Sequence, residues 1–350
     1  MPEFHYINAL IADMTVDLAR YPGRILQSIF IGGGTPSLLS ANAYAQLFEQ
    51  LKTMIPFADD IEITMEANPG TVEQQRFSAY RALGINRLSL GIQSFDAHQL
   101  KTLGRIHDDQ QARTAIETAR MAGFDNLNID IMHGLPKQTT TQALHDLKTA
   151  IAYQPEHISW YQLTIEPNTV FYKTQPTLPV EDTIEAIECE GLALLEQAGY
   201  SRYEISAFSK DKKQCRHNMN YWQFGDYFGI GAGAHGKISR SSGVYRTRKA
   251  RQPKDYLDNS KLFLIENKPL TTSDLLFEFM LNTTRLQEKI PHSLFGERTG
   301  LDFSIIKPGL VESAQKGLLV LEDTHWQVTD FGRRYTNDLQ AIFLGCNTSL

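Results

Sequence analysis

The chain has 350 residues, of which 42% are hydrophobic and 21% charged, with a net charge of −6. That length is enough for one large domain with appendages or for two domains, and the acidic balance gives no general reason to expect nucleic acid or an anionic membrane as a partner. Three scattered cysteines, Cys189, Cys215 and Cys346, form no CxxC or CxxxC pair and point to a reducing compartment, not a disulfide scaffold. No apolar run approaches the ~20 residues of a membrane span. Met1-Pro2-Glu3-Phe4-His5 has neither the basic nor the apolar region of a secretory signal, so the expected location is cytoplasmic.

The first predicted element is a helix. Phe4, Ile7, Ile11, Met14 and Leu18 fall at helical spacing, and Pro22-Gly23 ends it. Short apolar runs rich in β-branched residues then alternate with helical patterns, at 25–31, 61–65, 87–92, 126–132 and 157–163. Their ends, at Gly32, Glu66, Gln93, Asp130 and Thr164, are 34, 27, 37 and 34 residues apart, the length of a βαβ unit. Parallel strands with crossover helices are the expected result. Five strands at this pitch fit a partial barrel, with a doubly wound sheet as the alternative. A further helix is predicted over 181–199. Residues 200–236 are rich in aromatics and glycine, and 237–254 form a basic stretch of seven Lys/Arg with no acid. A tail from about residue 269 reads as two helices and a hairpin, a small α+β module of winged-helix type. The expected division is therefore 1–200, 201–268 and 269–350.

The ends of the predicted strands carry chemistry-bearing residues. Gly32-Gly33-Gly34-Thr35-Pro36 follows the first strand and precedes a helix. Its glycines allow a ligand close to the backbone, and the helix N-terminus adds partial positive charge. Glu66 offers a carboxylate for an ammonium, Gln93 an amide, Arg105 a guanidinium for a carboxylate, and Asp130 an acid for ribose hydroxyls. Each alone is more often structural; one polar group after another strand, on one rim, is the pattern of a ligand site.

The motifs GGGTP, ExNPG, GIQSF, LGRxH and NIDxxxGLP stand in that order. The chain thereby resembles the radical S-adenosylmethionine (SAM) proteins related to oxygen-independent coproporphyrinogen III oxidase. The phrases HISWYQLTIEPNT and HNMNYWQFGDYFGIGAGAHG narrow the resemblance to the HemW-type heme chaperones, over essentially the whole chain. The resemblance implies an α/β partial radical SAM barrel that binds SAM through Gly33, Gly34, Thr35, Glu66, Gln93, Arg105, Asp130 and Thr164. It also implies heme as second ligand and an acceptor protein as partner. His217, Tyr221 and Trp222, in the HNxxYW phrase, are the heme candidates, with His217 the candidate iron ligand and Cys215 a further one. An imidazole suits iron and flanking aromatics suit a porphyrin face, although a core histidine packed by aromatics has the same signature.

The family holds a 4Fe-4S cluster on a CxxxCxxC loop after its first strand. This sequence contains no such motif and resembles the family from beyond that point, so the expectation is a chain without cluster ligands. No catalytic residue is assigned. Two alternatives stay open: an enzyme of porphyrin biosynthesis acting on coproporphyrinogen, and a remnant of a split or mis-started gene. The basic stretch could meet heme propionates or form a solvated hairpin. From Lys268 onward the tail has eight Lys/Arg against ten Asp/Glu, which favours a lid or partner contact over reading DNA.

Overall fold

The computed structural model describes residues 3–70 and 74–344, apart from the side chain of Leu38. Cys346 lies outside them. By compactness the chain divides into two units, each discontinuous in sequence. One comprises the residues up to Leu26, Gln46–Ala58 and everything from Arg216; the other comprises Gln27–Ala45 and Asp59–Cys215.

The second unit holds the βα repeats. Strands β1 (Leu26–Ile31), β2 (Phe57–Ala67), β3 (Arg87–Gln93), β4 (Leu127–His133) and β5 (His157–Gln162) lie side by side in chain order. The pairs β2–β3, β3–β4 and β4–β5 are parallel. A doubly wound sheet reverses its strand order at a switch point; this run does not reverse, which settles the choice for the partial barrel. Two short strands, β6 (Ser201–Glu204) and β7 (Ala207–Ser209), extend the sheet, β7 pairing antiparallel with β5. They fall in the segment that sequence patterning left without an element.

The crossovers start where the local chemistry says they should. Helices α5 (Asp109–Met121) and α6 (Thr140–Ala152) each open on a complete capping box, Asp108 with Gln111 and Thr139 with Gln142. Helix α8 (Glu181–Gln197) comes close to β5 at Gly191, where an added Cβ would stand 2.1 Å from the Trp160 ring. Only glycine fits there.

In the other unit, α1 (Glu3–Arg20) buries Ile7, Leu10 and Met14 together with two carboxylates, Asp13 and Asp17. The expected apolar stripe is therefore displaced: Phe4 is exposed, and Ile11 and Leu18 are half-buried. The ammonium of Lys249, fully buried, sits 2.5 Å from Asp13 and 2.8 Å from Asp17. Strands β8 (His235–Arg240), β9 (Gly243–Lys249) and β10 (Leu264–Pro269) make an antiparallel sheet with β9 central. Beyond it, α11 (Thr272–Thr283), α12 (His292–Thr299) and α13 (Lys307–Gln315) pack with a three-stranded antiparallel sheet, Ile290–Pro291, Leu319–Leu321 and His325–Val328. Phe279, Phe295, Leu310, Trp326 and Phe343 form their common core. The module is winged-helix-like as expected, with a third strand and three helices beyond the expected two, of which Asp330–Arg334 and Thr336–Ala341 follow the last strand.

Candidate functional site

Successive strand residues point to opposite faces, and the two faces of this parallel sheet differ. One carries Ile63, Met65, Leu88, Leu90, Ile129, Ile131, Ile158 and Trp160, all buried. The other carries Thr64 and Glu66 on β2, Ser89 on β3, Asn128 and Asp130 on β4, and His157, Ser159 and Tyr161 on β5. The register sets Glu66 beside Ser89, Ser89 beside Asn128, Asn128 beside His157, and Asp130 beside Ser159. Parallel strands buried on both faces normally read as continuous apolar runs. A polar face here is the inner wall of a half-barrel, and its C-terminal rim is where such folds put their ligands.

The glycine loop after β1 is bonded to the second strand. The Gly33 N–H donates to Glu66 Oε2 at 3.2 Å, and a Cβ on Gly32 would lie 2.9 Å from the same oxygen. Gly33 and Gly34 have φ of 81° and 65°, a left-handed backbone that other residues adopt at a cost. Thr35 follows at the N-cap of the 3-10 turn Pro36–Leu38. The far side of the loop is clamped by Tyr80, whose hydroxyl is 2.7 Å from the carbonyls of Ser37 and Leu39. Burial raises the Glu66 carboxyl above its usual range; the Gly33 bond opposes this and the Asp130 charge adds to it. Such a carboxylate favours a cation brought to it.

Gln93 sits in a bulge of β3, where the register shifts between Leu90 and Gln93, with φ of 70°. A non-glycine residue there costs on the order of 1–3 kcal/mol, so neighbours must hold it. Tyr161 donates to Gln93 Oε1 at 2.6 Å. The buried Asp146 carboxylate accepts from the Ser94 hydroxyl at 2.6 Å and the Phe95 N–H at 2.7 Å. Burial pushes Asp146 up to about 6, against the pull of those two bonds.

Tyr161, bonded to Gln93, stands near the end of β5. Burial pushes its hydroxyl far above the ordinary phenol range; Asp130 and Glu66 add to this, and Arg105 and the Gln93 bond oppose it. Four residues named from sequence, Glu66, Gln93, Arg105 and Asp130, thus act on one hydroxyl. Arg105 itself is exposed, and so is Thr164, just past β5. Asp130 is half-buried and accepts from Asn128 Nδ2 at 2.7 Å and Ser89 Oγ at 3.1 Å. Burial raises its carboxyl, and the bonds from Asn128 and Ser89 resist. Sequence reasoning missed Tyr161, Ser89, Asn128, His157 and Ser159. Their signal was present as polar residues at every second position of strands expected to be apolar throughout.

His217, Tyr221 and Trp222 share the short helix α9 (Arg216–Trp222) in the other unit. All three are half-buried. The rings of His217 and Tyr221 meet edge-on at 4.3 Å, Tyr221 meets Tyr227 at 4.5 Å, and the Arg285 guanidinium lies 4.2 Å over the Trp222 ring. The glycine-rich loop that follows is a packed turn: the Gly231 N–H donates to the Tyr256 hydroxyl at 3.1 Å, and Ala232 N–H to the Tyr6 hydroxyl at 3.0 Å. The basic stretch forms the hairpin β8–β9, and most of its charge is matched within the chain. Lys237 pairs with Asp226 at 3.0 Å, Lys249 with Asp13 and Asp17, and Arg246 with Glu278 at 2.6 Å. Arg248 pairs with Glu266 at the surface.

The cysteines among the described residues do not fit an iron–sulfur cluster. Cys189 is exposed on α8, and the Cys215 thiol is buried against Glu62 at 3.6 Å. No three His, Cys, Asp or Glu side chains among the described residues converge as metal ligands.

A parallel half-barrel with a glycine loop and acidic residues on its C-terminal rim is a radical SAM scaffold. The radical SAM superfamily pattern matches residues 3–150, and the HemN C-terminal domain pattern matches 270–335. The fold superposes on coproporphyrinogen III oxidase (HemN) from Escherichia coli with a TM-score of 0.80, over 99% of this chain and 85% of that one, at 23% identity. In sequence the chain is 47% identical to the heme chaperone HemW of Haemophilus influenzae and 46% identical to that of Escherichia coli, each time over 98% of this chain and 91% of the relative. The HemW of Bacillus subtilis is 33% identical over 98% of this chain and 92% of its own. This chain belongs to the HemW family.

Proposed function

We propose that the protein is a heme chaperone, binding heme and passing it to an acceptor protein, on a scaffold that also binds SAM. The observation that carries this is the near-full-length identity of 46–47% to two heme chaperones. The likeness to coproporphyrinogen III oxidase is a likeness of fold and carries no activity.

The residues fit the two ligands differently. For SAM, the rim supplies one group for each part of the molecule: Glu66 for the ammonium, Arg105 for the carboxylate, Asp130 for the ribose diol. Gly33, Gly34 and Thr35 lie along the methionine portion, with Gln93 near it and Thr164 toward the adenine. For heme, His217 is the iron ligand, with Tyr221 and Trp222 as flat apolar contacts. Propionates would have to draw on cations other than Arg246, which is held by Glu278 and Tyr227. No described helix is long and apolar enough to cross a membrane, and the partners proposed are heme and an acceptor protein.

The test is a hemin titration followed in the Soret band. The parent protein should give a ligated shift, and His217→Ala should weaken or remove it while far-ultraviolet circular dichroism stays unchanged. Equal affinity and spectrum in His217→Ala would return that histidine to a packing role.

A further inference from the structure

Behind the rim, the polar face continues into the sheet as a chain of side chains that the SAM reading does not use. Asn128 and His157 are 2% and 0% exposed, and Tyr203 and Ser89 are nearly as buried. His157 Nδ1 lies 2.6 Å from Asn128 Oδ1 and its Nε2 lies 2.7 Å from the Tyr203 hydroxyl. Asn128 Nδ2 reaches Asp130 Oδ1 and Ser89 Oγ, both at 2.7 Å, and Ser89 Oγ reaches Asp130 Oδ2 at 3.1 Å.

The protons in this chain can be placed by elimination. A carboxylate only accepts, so Asn128 must turn its NH2 toward Asp130, which leaves its Oδ1 toward His157. That oxygen also takes the Ser159 hydroxyl at 3.0 Å. His157 must then carry its proton on Nδ1. Burial, and then the Arg87 charge, hold its pKa well below the usual imidazole range. A neutral ring protonated on Nδ1 has a bare Nε2, so Tyr203 is the donor there. Every bond from Tyr203 onward thus points the same way, and both carboxylate oxygens of Asp130 receive a fixed donor.

We propose that Tyr203, His157 and Asn128 form a one-directional hydrogen-bond relay that positions Asp130 as an acceptor for the two hydroxyls of a ribose. These are positioning residues: none reaches the rim. Two oxygens pinned in this way each keep a lone-pair direction for one hydroxyl of a cis-diol. Tyr203 stands on β6, so the strand pair that extends the barrel also orients its rim acid. The role assigned to Asp130 rests on the SAM reading above; the proton order of the relay does not.

Two measurements test it. In protein labelled with nitrogen-15 histidine, His157 should be a neutral ring protonated at Nδ1, unchanged between about pH 8 and pH 5.5, across the ordinary imidazole range; the His157→Asn spectrum assigns the signal. An Nε2-protonated ring, or one that charges in that interval, overturns the relay whatever binds at the rim. Affinity for S-adenosyl-L-homocysteine is then measured by calorimetry in folded variants. His157→Phe should lose about three- to ten-fold, the range of one net hydrogen bond, and Tyr203→Phe less. His157→Asn, whose amide takes the place of Nδ1–H, should recover most of the loss. If Asp130→Asn binds weakly but His157→Phe binds like the parent, the relay is wrong and the SAM reading stands. If Asp130→Asn binds like the parent, the SAM reading fails, and the role given to the relay fails with it.

Discussion

Replacing Glu66 by glutamine should move binding and stability in opposite directions. The carboxylate is half-buried, takes the Gly33 N–H at 3.2 Å, and is raised above its usual range mainly by burial and further by Asp130. A carboxyl whose folded pKa is raised binds its proton more tightly in the folded state. Its contribution to stability is therefore greatest below the unfolded value, falls as the pH rises through the folded value, and stays at its lowest at neutral pH. Glutamine keeps an oxygen for Gly33 and removes the charge, so its neutral-pH stability should equal or exceed that of the parent, and the difference should shrink on acidification. Binding should fall. A charge-assisted hydrogen bond to the ligand ammonium is worth about 1.5–3 kcal/mol, which is on the order of 10- to 150-fold in affinity. Calorimetry with S-adenosyl-L-homocysteine and urea denaturation at neutral and mildly acidic pH read both effects. Unchanged affinity would show that Glu66 does not meet the ammonium. A marked loss of stability at neutral pH would show that the carboxylate is a structural partner and not a group waiting for a cation.

Two further outcomes follow from packing. Gly191→Ala drives a methyl to 2.1 Å from the Trp160 ring and should cost at least the ~1–3 kcal/mol of an overpacked core, read as a lower urea midpoint; parent-like stability would mean that α8 shifts freely. Lys249→Met leaves Asp13 and Asp17 buried without their cation and should cost about 3–5 kcal/mol. Adding Asp13→Asn to that variant should restore part of the loss, and a second change that only adds damage would contradict the pairing.

The sequence by itself determined the βα alternation and the polar residues near the strand ends, while the order of the strands was read from the sheet. Strand ends were predicted within a few residues because apolar patterning is a local property; the capping boxes of α5 and α6 are equally local, each joining residues three apart. It also singled out Glu66, Gln93 and Asp130, since a polar residue within or closing an apolar run is visible without a fold. Tertiary structure alone decided which positions face which way and what they meet. The half-barrel's polar wall depends on β2 to β5 standing in register, with Ser89, Asn128 and His157 side by side although each lies at least 29 residues from the next. The buried carboxylates of α1 were hidden for the same reason. Helical periodicity ranks Asp13 and Asp17 as solvent residues, and their partner Lys249 lies more than 230 residues away. Likewise, seven basic residues in a row of eighteen read as a charged surface. Whether each charge is available or already matched is set by the chain's long-range pairing, because an ion pair depends on distance through space and not on position in sequence.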